Sequence, residues 1–177
     1  MKVALIAIFL FMSSLSFSAP FSEAYTGLML DIPDIFEPCE DSTYISSCPY
    51  WYAFVDSEGN ILTIEIEEYN DLQTLSGHFH KTMTEADRLI EKSLICEDLE
   101  FYNLMIGEIE FTKLKLRMLA LTETGTTALF FCDYLFVHDH FGITISLTKT
   151  EVGSQSAPEA EEMMTQMLQS IQFRSCD

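Results

Sequence analysis

Basic residues are scarce in this sequence: nine Lys and Arg stand against 28 Asp and Glu, for a formal net charge of −19. The acids are spread along the whole chain instead of forming runs. Such an excess repels phosphate backbones and anionic headgroups, which argues against nucleic-acid and membrane-surface binding. It also keeps a protein soluble in a crowded extracytoplasmic space. Short chemical motifs are missing as well. There is no G-x-S-x-G elbow, H-E-x-x-H helix or phosphate-cradling glycine loop, so no catalytic residue and no cofactor is expected. The absence of a C-x-x-C pair removes the support for thiol–disulfide exchange. No repeat or low-complexity linker interrupts the chain, which points to a single domain.

One feature is present without ambiguity. Lys2 is followed by the apolar run Val3 to Met12 and then by Ser13-Ser14-Leu15-Ser16-Phe17-Ser18-Ala19. This is the layout of a cleavable signal peptide: a positive start, an apolar centre and a small-residue end. The run is too short for a membrane span, which needs about 20 apolar residues. Cleavage after Ser18 is expected, giving a signal peptide over 1–18 and one domain over 19–177; a cut after Ala19 is disfavoured because Pro20 would adjoin the scissile bond, and Ala24 is a later alternative. No Cys follows the apolar run, so a lipid anchor is not expected, nor is membrane insertion after cleavage. The expected location is periplasmic or secreted.

Hydrophobic residues make up 48% of the chain and aromatics 12%. That is enough for a packed core and too much for a disordered acidic tail. Gly27 to Pro33 reads as a short strand. Tyr50 to Val55 and Ile61 to Tyr69 read as a hairpin around Asp56-Ser57-Glu58-Gly59-Asn60. In its second strand Leu62, Ile64 and Ile66 alternate with Thr63, Glu65 and Glu67, one face buried and one wet. Apolar residues from Leu72 to Ile90 recur at helical spacing; Gly77 weakens the start, so the firm part is about Thr82 to Ser93. Ile109 to Leu121 reads as a strand, with Ile109 and Phe111 out of phase with Leu114, Leu116 and Met118, which suggests a bulge. Ala128 to Val137 is nearly all apolar and fits a central strand, and Gly142 to Lys149 alternates again. Ser156 and Glu159 form a capping box for a last helix whose stripe is Ala160, Met163, Met164, Met167, Leu168 and Ile171. The expected fold is α+β: an antiparallel sheet of about six strands covered by two main helices, an α-β-α sandwich.

Five cysteines are available for an oxidising compartment, and Cys39 and Cys48 flank a short polar segment that a disulfide would close. Cys132 lies in an apolar run and suits a buried small hydrophobe. His138 and His140 sit at a hairpin end and are candidate ligands for Zn²⁺ or Cu²⁺, although no third ligand is identifiable and solvent-facing turn histidines are the simpler reading. His78 and His80 are helical and diverge. Asp56, Glu58, Asn60 and Glu67 partly mimic a calcium loop, but Ile61 stands where the template requires glycine. Lys113, Lys115 and Arg117 share one strand face. They form either a docking spot for an anionic partner or cross-strand pairs with Glu65 and Glu67.

The layout resembles the PsbP/Mog1/DcrB-like superfamily of small α-β-α sandwich domains. The resemblance is carried by the opening strand Gly27–Pro33, the hairpins Tyr52–Ile64 and Tyr134–Leu147, and the ending Met167-Leu168-Gln169-Ser170-Ile171-Gln172-Phe173. It implies a binding or assembly-assisting module and carries no shared catalytic constellation. The expected function is recognition of a protein partner by an exported, acidic, non-enzymatic module, monomeric or weakly oligomeric. The alternative is an extracytoplasmic protein that binds a small ligand or a metal. A secretion chaperone is a third possibility, which the signal peptide speaks against.

Overall fold

The computed structural model describes residues 17–39, 50–69, 74–90, 95–122, 125–151 and 157–174. In chain order the elements are β1 (Phe17–Ser22), β2 (Leu28–Pro33), β3 (Phe36–Pro38), β4 (Tyr50–Asp56), β5 (Ile61–Glu68) and α1 (Leu75–Ile90). They continue with β6 (Ile95–Ile106), β7 (Ile109–Thr122), β8 (Gly125–His138), β9 (Phe141–Glu151), α2 (Ala157–Gln169) and β10 (Gln172–Phe173). A seven-stranded sheet has the order β3-β4-β5-β9-β8-β7-β6, and a three-stranded sheet the order β1-β2-β10. Every pairing is antiparallel.

The α+β class and the sandwich are as the sequence predicts, but the strands are more numerous than about six. β1, β3 and β6 carry no clear alternation and escape a pattern search. The main core lies between the large sheet and a layer made of α2 and the small sheet. Leu62, Ile64 and Ile66 of β5 and Ile143, Ile145 and Leu147 of β9 meet Met164, Met167 and Leu168 of α2 and Leu28 and Leu30 of β2 there. Phe21 of β1 adds edge-on contacts to Tyr52 and Phe54, with ring centroids 4.9 and 5.9 Å apart. The opposite face of the sheet carries α1.

Three local expectations change. First, α1 starts at Leu75 instead of about Thr82. Thr74 caps it: the Gly77 N–H donates to the Thr74 hydroxyl and the His78 N–H to its carbonyl, at 3.1 and 3.0 Å. Gly77 therefore falls in the capped first turn, where a glycine weakens a helix least. Second, β7 has no bulge between Phe111 and Leu114. Its register with β6 runs unbroken from Ile109 to Lys115, and the irregularity lies in β6 between Glu97 and Glu100. The apolar set changes phase because β7 is covered on both sides: Phe111 faces the α2 layer, while Leu114, Leu116 and Met118 face α1. Third, the predicted capping residue Ser156 lies outside the described residues. The other end of α2 is tied down by Ser170, whose hydroxyl donates to the Met167 carbonyl and accepts the Asp31 N–H, at 2.6 and 2.8 Å.

Candidate binding surfaces

Lys113, Lys115 and Arg117 share the face of β7 that looks toward α2. Lys113 is 3% exposed. Its ammonium donates to Glu161 of α2 at 2.5 Å and lies over the rings of Tyr102 and Tyr134, 5.5 and 5.4 Å from their centroids. Lys115 reaches the other oxygen of the same carboxylate at 2.8 Å. Burial works against the Lys113 charge, yet Glu161 and Tyr102 hold its pKa well above the ordinary lysine value. Burial opposes ionisation of Glu161 too, but its two lysine partners keep its pKa below the usual carboxylate range. The counter-charge is therefore Glu161, not Glu65 or Glu67, which lie on the far face of the sheet with β9 and β8 in between. Arg117 stands opposite Glu97 and Phe130 and is also engaged.

The histidine turn separates its two rings. His138 stacks on Phe173 at 3.5 Å between centroids, while His140 lies 3.6 Å from Glu68 of β5. Asp139 between them holds φ 53°, the left-handed backbone that a two-residue hairpin needs. Among the described residues no group of three His, Cys, Asp or Glu could hold a metal ion. Cys39 has a free, half-buried thiol, and Cys48, its expected partner, lies outside the described residues. Cys132 is buried and burial pushes its thiol up to about 12, as befits an inert core residue.

His78 holds a position that its place in the sequence does not reveal. It is helical, as expected, but it is 2% exposed and not at the surface. Its ring bridges α1 to the sheet: Nδ1 lies 3.0 Å from the Tyr69 hydroxyl and Nε2 3.0 Å from the Thr144 hydroxyl. Tyr69 donates to Glu67 at 2.5 Å, and Lys81 closes the chain on Glu67 at 2.7 Å. All groups are satisfied if Nδ1–H donates to Tyr69 and Thr144 donates to Nε2. Burial pushes the His78 pKa down against the pull of Glu67, which keeps the ring neutral. Gly142 makes room for it, since a Cβ there would collide with the imidazole. Nearby on the same face, Asp133 of β8 is half-buried. Burial raises its pKa to about 6, opposed by the Ser146 hydroxyl and reinforced by Glu65.

Two features face outward. A cleft of about 480 Å³ opens beside the start of α2, floored by Phe36 and Met163 and rimmed by Ile35, Asp56, Lys149 and Glu159. The Asp56 carboxylate there is already committed, accepting the N–H groups of Glu58 and Asn60 at 2.8 and 2.9 Å. The second feature is β6, the outermost strand of the large sheet. Leu99, Glu100, Phe101, Tyr102 and Asn103 are exposed one after another, so neither layer covers this stretch.

An antiparallel sheet between one layer of helix plus small sheet and a second helix defines a PsbP-like α+β sandwich. The solution structure of cyanobacterial PsbP (CyanoP) from Synechocystis sp. PCC 6803 is similar, with a TM-score of 0.60 and 12% identity, over 88% of this chain and 92% of that one. A crystal structure from Bacteroides thetaiotaomicron VPI-5482 matches with a TM-score of 0.55 and 11% identity, over 84% of this chain. This chain spans only 45% of that protein's length. At such identities the likeness shows the fold. No protein-family description matches the chain, and no curated protein does.

Proposed function

We propose that this protein is an exported, acidic accessory module that recognises a protein partner and performs no chemistry of its own. The observation that carries the reading is β6, an outer strand with five consecutive exposed residues on a PsbP-like frame. Supporting it are the N-terminal signal pattern and the missing catalytic motifs. Among the described residues no helix is long and apolar enough to cross a membrane. Cleavage after Ser18 keeps the regular part of β1, whose pairing with β2 runs from Pro20. Cleavage after Ala24 would remove Phe21 from the core and Glu23, whose carboxylate accepts the N–H groups of Tyr25 and Thr26 at 2.9 and 2.7 Å. The mature N-terminus is therefore expected at Ala19, which terminal sequencing of the native protein checks. Affinity capture from the native extracytoplasmic fraction tests the partner; repeated capture of nothing counts against the reading.

The cleft beside α2 favours a second reading, a small amphipathic ligand held between Phe36, Met163 and the polar rim. A Met163→Trp variant would fill that space. If it leaves retention of co-purifying small molecules unchanged, the second reading fails.

A further inference from the structure

We infer that β6 accepts an extended, cationic segment of the partner as an eighth strand of the large sheet. This rests on the reading of the protein as a partner-binding module and names the chemistry of the partner. The two edges of the sheet differ in the relevant way. β3, at one edge, is three residues long and ends at Pro38, which has no N–H to offer. A short, proline-ended edge is a common way to prevent strand addition. β6, at the other edge, is twelve residues long and contains no proline. A paired edge strand still turns alternate N–H and C=O groups outward, and among the described residues no strand pairs with them on the open side of β6.

Side chains on both faces add specificity. By register with β7, Phe101 and Met105 stand on the α1 face beside Asn103, and Glu100 and Tyr102 on the α2 face. Phe101 is 61% exposed and Met105 62%. Phe101 pairs with Phe79 of α1, ring centroids 5.5 Å apart, and still leaves most of its surface open. An incoming strand would lay apolar residues along Phe101 and Met105, as cross-strand neighbours do. The irregularity between Glu97 and Glu100 marks one end of the regular ladder, leaving Glu100 to Ile106 for pairing.

Charge selects the occupant. Glu100, Glu108 and Glu110 are exposed along this edge, while Lys113 and Lys115 on the neighbouring strand are held by Glu161. A second copy of the chain would bring another net −19 to the same edge. Like charge at that level disfavours self-pairing, whereas alternating Lys or Arg would meet the acids.

The probe is a seven-residue peptide alternating Lys and Val, with two controls. One control replaces every Lys with Glu. The other is N-methylated at two consecutive central residues, which blocks both of its hydrogen-bonding edges. Binding to the full mature protein is read by fluorescence anisotropy, and β6 by amide hydrogen exchange. The Lys–Val peptide should bind and protect amides between residues 100 and 106. Binding should weaken at least tenfold with the Glu peptide, with the N-methylated peptide, and in a Phe101→Lys/Met105→Lys variant. N-methylated peptide binding within twofold of its parent overturns strand addition, as does binding without β6 protection or no binding at all. The exchange result on the unaltered protein stands even if the double variant folds poorly. Partner capture separates the two claims. A partner held equally by the parent and the double variant rejects the strand while sparing the module, and no partner on the parent rejects the module itself.

Discussion

Ile64 and Glu65 are neighbours in β5, and their side chains lead into two differently held faces of one sheet. On the Ile64 side, β5 and β9 meet α2 and the small sheet through aliphatic and aromatic groups that are almost all fully buried. On the Glu65 side, Glu67, Tyr69 and Thr144 meet α1 through a carboxylate, two hydroxyls and one neutral imidazole. Apolar burial is non-directional and sums over area, so the first face supplies most of the stability. Hydrogen bonds add less net free energy but fix geometry, so the second face sets where α1 sits. The dry face also carries polar groups, among them the Lys113–Glu161–Lys115 bridge, where α2 is positioned over β7.

Five substitutions break or sharpen this contrast. Phe136→Ala empties the centre of the dry face and should cost about 3–5 kcal/mol in urea unfolding. A cost below about 1 kcal/mol would mean that the dry face does not dominate. Glu161→Gln leaves the buried Lys113 ammonium without its counter-ion and should cost about 3 kcal/mol. Lys113→Met removes the charge together with its need for a partner and should stay within about 1 kcal/mol of the parent by the same measurement. On the other face, Gly142→Ala pushes a methyl into the His78 ring and should cost about 1–3 kcal/mol. Adding His78→Ser should recover part of that loss in a double-mutant cycle; strict additivity would show that the two do not meet.

The smallest effect concerns pH. The Asp133 pKa is raised from 3.8 to about 6, so the native chain holds this proton more tightly than the unfolded one. The stability it lends is therefore fully present below about pH 4 and is lost as pH rises through about 6. Asp133→Asn should raise stability at pH 7 by about 1–2 kcal/mol, after discounting for its partial exposure. It should also flatten the difference between pH 4 and pH 7. Glu67 and Glu161, both lowered, act in the opposite sense: their contribution is present above their ordinary value of 4.5 and fades as pH falls below it. The comparison must accordingly be variant against parent at each pH.

How much of this was legible beforehand differs between the same two faces. The dry face was readable because β5, β9 and α2 write it as periodic apolar residues, and β8 as a continuous apolar run. The resemblance to PsbP-like sandwiches rested on those segments, and the structure agrees. The α1 face was less readable. His78 looks like any polar helical residue until Tyr69, just after β5, and Thr144 of β9 close around it. Glu161 could not be named as the partner of Lys113, because pairing across layers leaves no spacing signal in the chain. β6 is hard to read because Leu99 to Asn103 are exposed one after another, and a stretch with no buried face has no alternation to detect. The signal that could have found it is compositional: Phe101, Tyr102 and Met105 cluster in a segment otherwise rich in acids.

The small sheet joins residues that are made far apart in time. Met29 pairs with Gln172, and the Gly27 carbonyl accepts the Arg174 N–H at 2.9 Å. Gly27 permits this with φ 70°, since a Cβ would lie 2.7 Å from the Arg174 carbonyl oxygen. β2 therefore keeps one side unpaired until β10, the last element in chain order, has been made. Such a long-range closure slows the final step of folding. The latch is carried by β10, so the frame locks only once that strand has been made and has reached β2.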